Sequence, residues 1–153
     1  MKIYKKTFKD SKKLEKEIYC LEKLKEYNCF PKILKKEKNS VTLEHCGEIV
    51  HTYTHIPDWK TQIEKIIAIL EKENIFQNDM VRENFVQKDG KIYLIDFEKS
   101  STGEPQYPSF NITTQDLERS KSFSEMLECA SFRINKKLKN ELGIRKSKAP
   151  TQG

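Results

Sequence analysis

The spacing of apolar positions switches between two periods along the chain, and these periods predict strands and helices in a mixed order. Alternating apolar and polar side chains predict strands at residues 1–8, 32–37, 41–45, 84–87 and 91–95. Apolar residues at every third or fourth position predict helices from Asp10 or Ser11 to about Tyr27, from Asp58 to about Asn74, and from Thr113 or Thr114 to about Leu142. A chain of 153 residues with this pattern is expected to form one α+β domain.

The most informative stretch is the predicted hairpin at residues 84–95, which polar residues flank on both sides. Its turn ends in Gly90, at the position that needs a positive φ. Asp79 and Asn84 share the loop before the hairpin, and Asp96 follows its second strand. Mg²⁺ binds through one or two carboxylates and keeps its other positions for water and phosphate, so the set suits Mg²⁺. Each residue alone is an ordinary turn residue, and the ordered set is what favours a metal site.

The order of Asp79, Asn84, hairpin and Asp96 resembles the catalytic loop and metal-binding segment of the protein-kinase-like superfamily. Asn-Asp at 78–79 and Asp-Phe-Glu at 96–98 also resemble the aminoglycoside- and choline-kinase branch. The resemblance implies ATP and Mg²⁺ as cofactors, with Asn84 and Asp96 holding the metal. It also implies that Asp79 orients the acceptor hydroxyl and accepts its proton.

The first strand and the first helix carry a lysine and a glutamate that the resemblance assigns to phosphate binding. Lys5 shares a strand face with Ile3, which the alternation predicts to be buried, and a buried lysine needs an anionic partner. Lys6 is the rival if the register shifts by one, and a lysine that faces water is the alternative. Glu17 falls inside the apolar stripe of the helix, so it is predicted to pair with Lys5; a glutamate reaching solvent at the edge of the stripe is the alternative.

Residues 43–48 resemble a kinase hinge, where adenine lies against exposed backbone. The resemblance places adenine against the backbone of Glu44 and Cys46, and places the ribose within reach of Glu48. The nearby histidines and cysteine do not have a familiar zinc spacing, so a zinc site is not expected there.

Several positions depart from the family pattern. No glycine-rich loop is visible, and the chain has only five glycines to form one. Gln77 and Asn78 replace the usual histidine and arginine, so control through a phosphorylated loop is not expected. Val81 replaces a lysine, and Arg82 is close enough in sequence to supply that charge. We therefore expect weak ATP binding unless a partner or a dimer mate covers the site.

The resemblance implies a minimal protein-kinase-like fold within one truncated domain, residues 1–142. A reduced N-lobe at 1–46 holds a small antiparallel sheet with one helix, and a reduced C-lobe at 47–142 is short and mainly helical. Residues 143–153 are predicted to form a disordered basic tail.

Charge and cysteine content add limits on location and partners. Residues 1–40 carry 13 lysines against 6 acidic residues, but aromatic residues do not interleave with them, so nucleic acid is an unlikely partner. The four cysteines lack regular spacing and predict free thiols in a cytoplasm. No apolar run approaches the roughly 18 residues of a membrane span. A kinase-like chain this compact suggests a small viral or phage genome, and then the host cytoplasm.

These features together predict an ATP-dependent phosphotransferase, with a minimal Ser/Thr protein kinase as the favoured interpretation. The short segment between the hinge and Asp79 favours a protein substrate. The motifs at 78–79 and 96–98 favour a small-molecule alcohol instead. The missing glycine-rich loop favours a third hypothesis, a pseudokinase that binds a partner without catalysis.

Overall fold

The structure is a computed structural model that describes residues 2–51 and 54–128 of the chain. It is a mixed α/β structure in which short antiparallel strands form three small sheets. The strands are β1 (Ile3–Thr7), β2 (Ile33–Lys36), β3 (Ser40–Glu44), β4 (Glu48–Ile49), β5 (Ile75–Phe76), β6 (Phe85–Lys88), β7 (Lys91–Leu94) and β8 (Ser101–Thr102). The helices are α1 (Ser11–Lys23), α2 (Trp59–Glu73) and α3 (Thr114–Arg119), with a fourth helical stretch at 123–128.

The first sheet has the strand order β1-β3-β2, and α1 packs against β2 and β3. The Asp10 side chain accepts a hydrogen bond from the Lys12 amide at 2.9 Å, so the predicted N-cap of α1 is confirmed. The helix ends at Lys23 and not at Tyr27. The chain turns there, and the Tyr27 hydroxyl donates to a carboxylate oxygen of Glu73, 2.7 Å away.

The second sheet has the order β4-β6-β7, and α2 packs beside β7. The predicted hairpin is confirmed: β6 and β7 pair antiparallel, and Asp89 and Gly90 both have positive φ in the turn. Gln62 on α2 fixes this hairpin, because its carboxamide donates to the Gly90 carbonyl at 2.9 Å and accepts from the Ile92 amide at 2.7 Å. The helix α2 starts after Asp58 and ends before Asn74, close to the predicted bounds, but the Asp58 side chain makes no capping hydrogen bond.

One hydrophobic cluster extends across the first two sheets, α1 and α2. The rings of Phe30 and Phe97 meet edge to face at 5.8 Å, and the Leu94 amide donates to the Cys29 carbonyl at 3.1 Å. These contacts join the strand that precedes Asp96 to the segment between α1 and β2. The candidate site is therefore built on a continuous core, and the division into lobes at residue 46 stays a prediction.

The C-terminal part differs from the single long helix that the pattern predicts. Thr113 caps α3 in a capping box with Asp116, as expected for a helix start there. The helix breaks at Ser120, whose hydroxyl donates back to the Asp116 carbonyl at 2.6 Å, and helical structure resumes at Phe123. The predicted helix end at Leu142 and the predicted tail at 143–153 lie outside the described residues. Within residues 2–51 and 54–128, none of the helices is both long enough and apolar enough to cross a bilayer.

Candidate functional site

Lys6, and not Lys5, makes the ion pair with Glu17. The Lys6 ammonium lies 2.8 Å from Glu17 Oε1, 2.9 Å from Asp96 Oδ1 and 3.1 Å from Glu98 Oε1. Lys5 points to the other side of the strand, where its ammonium lies 3.5 Å from Glu37 and its side chain is 58% exposed. The prediction that Lys5 pairs with Glu17 is therefore wrong, and the rival residue, Lys6, makes that pair.

The error in register has a simple physical cause. Alternation predicts a buried face only where one face of the strand is covered. Ile3 is 61% exposed, so the strand face that it shares with Lys5 is open. The opposite face, with Lys6, turns toward α1.

Glu17 is the buried centre of the cluster, as its place in the helical stripe predicts. Its side chain has no solvent exposure. One carboxylate oxygen binds Lys6, and the other accepts a hydrogen bond from the Phe97 amide. Glu17 therefore connects β1 and α1 to the segment that carries Asp96, 79 residues further along the chain.

Three carboxylates face the Lys6 ammonium, and one of them, Glu98, also lies 3.7 Å from the Lys13 ammonium. Burial by itself would lower the pKa of Lys6, but the nearby charges of Glu17 and Asp96 outweigh it and raise that pKa above its ordinary value. Lys6 is therefore charged throughout the physiological range.

Asp79 lies in a second cluster beside the first. Its Oδ2 accepts a hydrogen bond from Asn84 Nδ2 at 3.0 Å and lies 3.7 Å from the Lys99 ammonium. Burial raises the pKa of Asp79, the neighbouring Asp96 adds to this, and Lys99 and Asn84 partly offset it. A carboxylate with a raised pKa is a better proton acceptor than an ordinary surface aspartate.

Gln77 ties the Asp79 loop to the segment that carries Asp96. Its Nε2 donates to the carbonyls of Ile95 and Asp96 at 2.9 and 2.8 Å, and its Oε1 accepts from the Asp79 amide at 2.5 Å. The residue is completely buried. The sequence showed Gln77 only as a departure from the family pattern, but it is placed to fix the distance between the two aspartates.

Asn78 makes a second set of links from the same loop. Its Nδ2 donates to the Lys99 carbonyl at 3.0 Å and to Ser101 Oγ at 2.9 Å, and its Oδ1 accepts from Asn111 Nδ2 at 2.9 Å. Asn78 is fully buried and has φ 65°, a conformation that asparagine tolerates better than most residues. The loop at 99–111 is thus held against the Asp79 loop by uncharged hydrogen bonds.

Asn84 and Asp96 fit the metal role that the resemblance implies. The Ile95 amide donates to the Asn84 carbonyl at 2.9 Å, so the two residues lie at the same end of the hairpin. In the described part of the chain, neither Asn84 Oδ1 nor Asp96 Oδ2 has a hydrogen-bond partner, although Asn84 is buried. Residues 2–51 and 54–128 contain no group of three or more His, Cys, Asp or Glu side chains arranged to hold a metal. Mg²⁺ needs fewer protein ligands than that when phosphate and water supply the rest.

A cavity of about 340 Å³ opens directly beside the Lys6 cluster. Lys6, Glu17 and Asp96 line it where β1, α1 and the end of β7 meet. The segment from Leu43 to Ile49 forms another wall, so the predicted residues Glu44, Cys46 and Glu48 all line the same cavity. Burial and the nearby Glu44 raise the pKa of Cys46 to about 12, so its thiol is neutral and unreactive.

Arg82 does not join the charged cluster. Its guanidinium donates to the Val50 carbonyl at 3.4 Å and to Ser124 Oγ at 3.3 Å, and no ion pair forms to it from the part of the chain that is described. The prediction that Arg82 supplies the missing positive charge therefore has no contact with Asp79 to support it among the described residues. Lys99 supplies a charge beside Asp79 instead, and sequence reasoning missed it because nothing in a loop pattern shows where a long side chain will reach.

A scan against protein-family models and a search of curated proteins each gave no match for this chain. A functional proposal therefore has to come from the geometry of the site.

Proposed function

We propose that this protein is an ATP-dependent phosphotransferase with a minimal protein-kinase-like fold, and that it transfers the γ-phosphoryl group to a hydroxyl. The observation that carries the proposal is the Lys6–Glu17 ion pair, which meets Asp96 at the edge of a cavity. Three distant segments supply these groups, and the free-energy cost of burying the Glu17 carboxylate is offset by the Lys6 ion pair and the hydrogen bond from the Phe97 amide.

The fold supports the proposal at a coarser level. A small antiparallel sheet carries the lysine, and a single helix carries its glutamate, which is the arrangement that the resemblance implies for a reduced N-lobe. The hairpin β6–β7 presents Asn84 before it and Asp96 after it.

The proposed role of Lys6 is to bind phosphate oxygens of ATP. Glu17 would position it, because both carboxylate oxygens are fixed, one by Lys6 itself and the other by the Phe97 amide. Asn84 and Asp96 would hold Mg²⁺, which neutralises charge on the transferred phosphoryl group when bound. Adenine would lie in the cavity against the backbone of Glu44 and Cys46, and Glu48 would contact the ribose.

Asp79 would orient the acceptor hydroxyl and take its proton. Its raised pKa suits this role, and the hydrogen bond from Asn84 holds its carboxylate in one orientation. The Lys99 ammonium lies 3.7 Å from Asp79 Oδ2 and would stabilise negative charge that develops during transfer. A protein Ser or Thr is the favoured acceptor, and a small-molecule alcohol is the alternative.

A binding module without catalysis is the second candidate, and one observation favours it. Asp96 Oδ1 already binds Lys6, so the ion pairs partly satisfy the residue that would bind the metal. A pseudokinase would retain this network for stability and present another surface to a partner.

The test uses γ-labelled ATP with Mg²⁺ and a cell extract, and follows label in the protein and small-molecule fractions separately. The variants are Asp79→Asn and Asp96→Asn, with Asp89→Asn in the exposed hairpin turn as the matched control. We expect both site variants to lose transfer by about a hundredfold or more, and the control to retain it. Transfer that persists in Asp96→Asn would refute the site.

A binding measurement separates the two candidates. A fluorescent ATP analogue is titrated with and without Mg²⁺ against the native chain and Asp96→Asn. Magnesium-dependent binding without transfer supports the module, whereas binding with transfer supports the enzyme. We expect a dissociation constant weaker than about 1 μM for the isolated monomer, since the described residues leave the cavity open on one side.

A further inference from the structure

The strand that carries Lys6 has one unpaired edge. In the order β1-β3-β2, β1 pairs with β3 on one side, and none of the described residues pairs with its other side. The Lys2 carbonyl accepts from the His45 amide at 3.1 Å, and the Phe8 amide donates to the Asn39 carbonyl at 2.8 Å. Even-numbered residues therefore make the hydrogen bonds to β3.

Because inter-strand hydrogen bonds alternate along an antiparallel strand, the odd-numbered residues of β1 face the other way. The amides and carbonyls of Ile3, Lys5 and Thr7 point along the open edge, and none of them has a hydrogen-bond partner in residues 2–51 or 54–128. A row of unpaired backbone groups with regular spacing is a template for an added strand.

The surroundings of the edge favour an occupant. Ile3 is 61% exposed and Tyr4 is 53% exposed, so apolar surface lies on both faces of the strand. Tyr4 also lines the cavity beside Lys6. A strand added to β1 would thus bury exposed apolar area and lie along the mouth of that cavity.

We propose that the open edge of β1 binds an extended, acidic segment of a partner protein as an added antiparallel strand. The charge near the edge identifies the chemistry of this segment, because the exposed Lys2 and Lys9 flank β1 and the exposed Lys5 lies on it, paired among the described residues only with the partly exposed Glu37. A second copy of this chain fits poorly, since antiparallel self-pairing centred on Lys5 places that lysine opposite its own counterpart. Like charges in that position destabilise a strand pair.

Binding of an added strand to β1 does not depend on phosphotransfer. Its expected consequence rests on the proposed function: the added strand would cover the open side of the nucleotide cavity and raise the affinity for ATP. Failure of peptide binding and failure of catalysis are therefore separate results.

The probe is a fluorescent peptide of about eight residues that alternates valine and glutamate. Matched peptides replace glutamate with lysine, or methylate the backbone nitrogens on one edge. Binding is followed by fluorescence anisotropy, and hydrogen exchange measures protection of the Ile3, Lys5 and Thr7 amides. We expect the acidic peptide to bind at least about tenfold more tightly than either matched peptide and to protect all three amides.

Two variants separate the contribution of the backbone hydrogen bond from that of the lysine charge. Lys5→Pro removes an outward amide and leaves the hydrogen bonds of Tyr4 and Lys6 to β3, so an edge strand tolerates it. Lys5→Ala removes the same charge and keeps the amide. We expect Lys5→Pro to bind the acidic peptide at least about tenfold more weakly than Lys5→Ala does. The methylated peptide gives the same information with the native chain if the proline variant does not fold.

Three results would overturn the proposal. Equal binding of the acidic and basic peptides would remove the charge argument. A dimer that Lys5→Pro dissociates would show that a second copy is the occupant. Protection of the Ile3, Lys5 and Thr7 amides in the free monomer would show that the chain covers the edge itself.

Discussion

Replacing Lys6 with methionine tests whether the buried ion pair has the arrangement described. The variant keeps most of the side-chain volume but removes the ammonium, which leaves Glu17 as a buried carboxylate with no cationic partner. Breaking a buried pair in this way typically costs about 3–5 kcal/mol. The Phe97 amide still donates to Glu17, so we expect the lower end, about 3 kcal/mol or roughly a hundredfold in the unfolding equilibrium.

The dependence of stability on pH gives a second test of this prediction. Burial raises the pKa of Glu17, and Lys6 counteracts that effect in the native chain. The net pKa of Glu17 is already raised in the native chain, and without Lys6 it rises further, so the variant should lose more stability than the native chain as pH rises from about 4.3 to neutral. Adding Glu17→Gln to the variant should restore most of the lost free energy of unfolding and remove its dependence on pH in this range.

The assay is urea unfolding followed by the fluorescence of Trp59, the single tryptophan, whose ring stacks on Phe123 at 5.9 Å. Lys5→Met is the matched control, because Lys5 neighbours Lys6 in sequence but forms an exposed pair with Glu37. We expect the control to change the free energy of unfolding by no more than about 0.5 kcal/mol. Equal effects of the two substitutions, or a loss below about 1 kcal/mol for Lys6→Met, would refute the buried arrangement.

Three further predictions concern the segment at residues 43–48 and the Asp79 loop. Gly47→Ala should destabilise the fold by at least about 2 kcal/mol in urea unfolding, because the new Cβ would lie 2.1 Å from the Gln87 carbonyl oxygen at a φ of +124°. Gly90→Ala, with open space around it, should cost about 1 kcal/mol, and a larger loss there would contradict this ranking. If Asp79 accepts the proton, kcat/KM should fall as pH drops through a value above the ordinary 3.8, and Lys99→Met should move that midpoint further up; a midpoint that stays fixed would exclude the coupling. Cys46 should resist alkylation at mildly alkaline pH in the folded chain, as mapped by mass spectrometry, and labelling as fast as in urea would show that its thiol is not buried.

Local sequence patterns were sufficient for the elements that build the site. The hairpin with Gly90, the Asp10 cap of α1 and the place of Glu17 in the helical stripe all depend on neighbours within a few residues along the chain. Turn geometry, capping and helical periodicity are properties of short segments, so the order of residues specifies them directly.

The choice between neighbouring side chains depended on distant contacts. Alternation assigns Lys5 and Lys6 to opposite faces of β1, but it does not say which face α1 covers, and the apolar Ile3 marks the open one. Arg82 was close to Asp79 in sequence and turns away from it, while Lys99 comes from another loop and reaches it.

Gln77 and Asn78 illustrate the same division. The sequence shows only that Gln77 and Asn78 are amides where the superfamily that the chain resembles has a histidine and an arginine. Their hydrogen bonds to segments 18 to 33 residues away give them a role in fixing the site. Local backbone conformation follows from the conformational preferences of each residue and its near neighbours. The partner of a long polar side chain instead depends on which segments the packed core brings within about 3 Å.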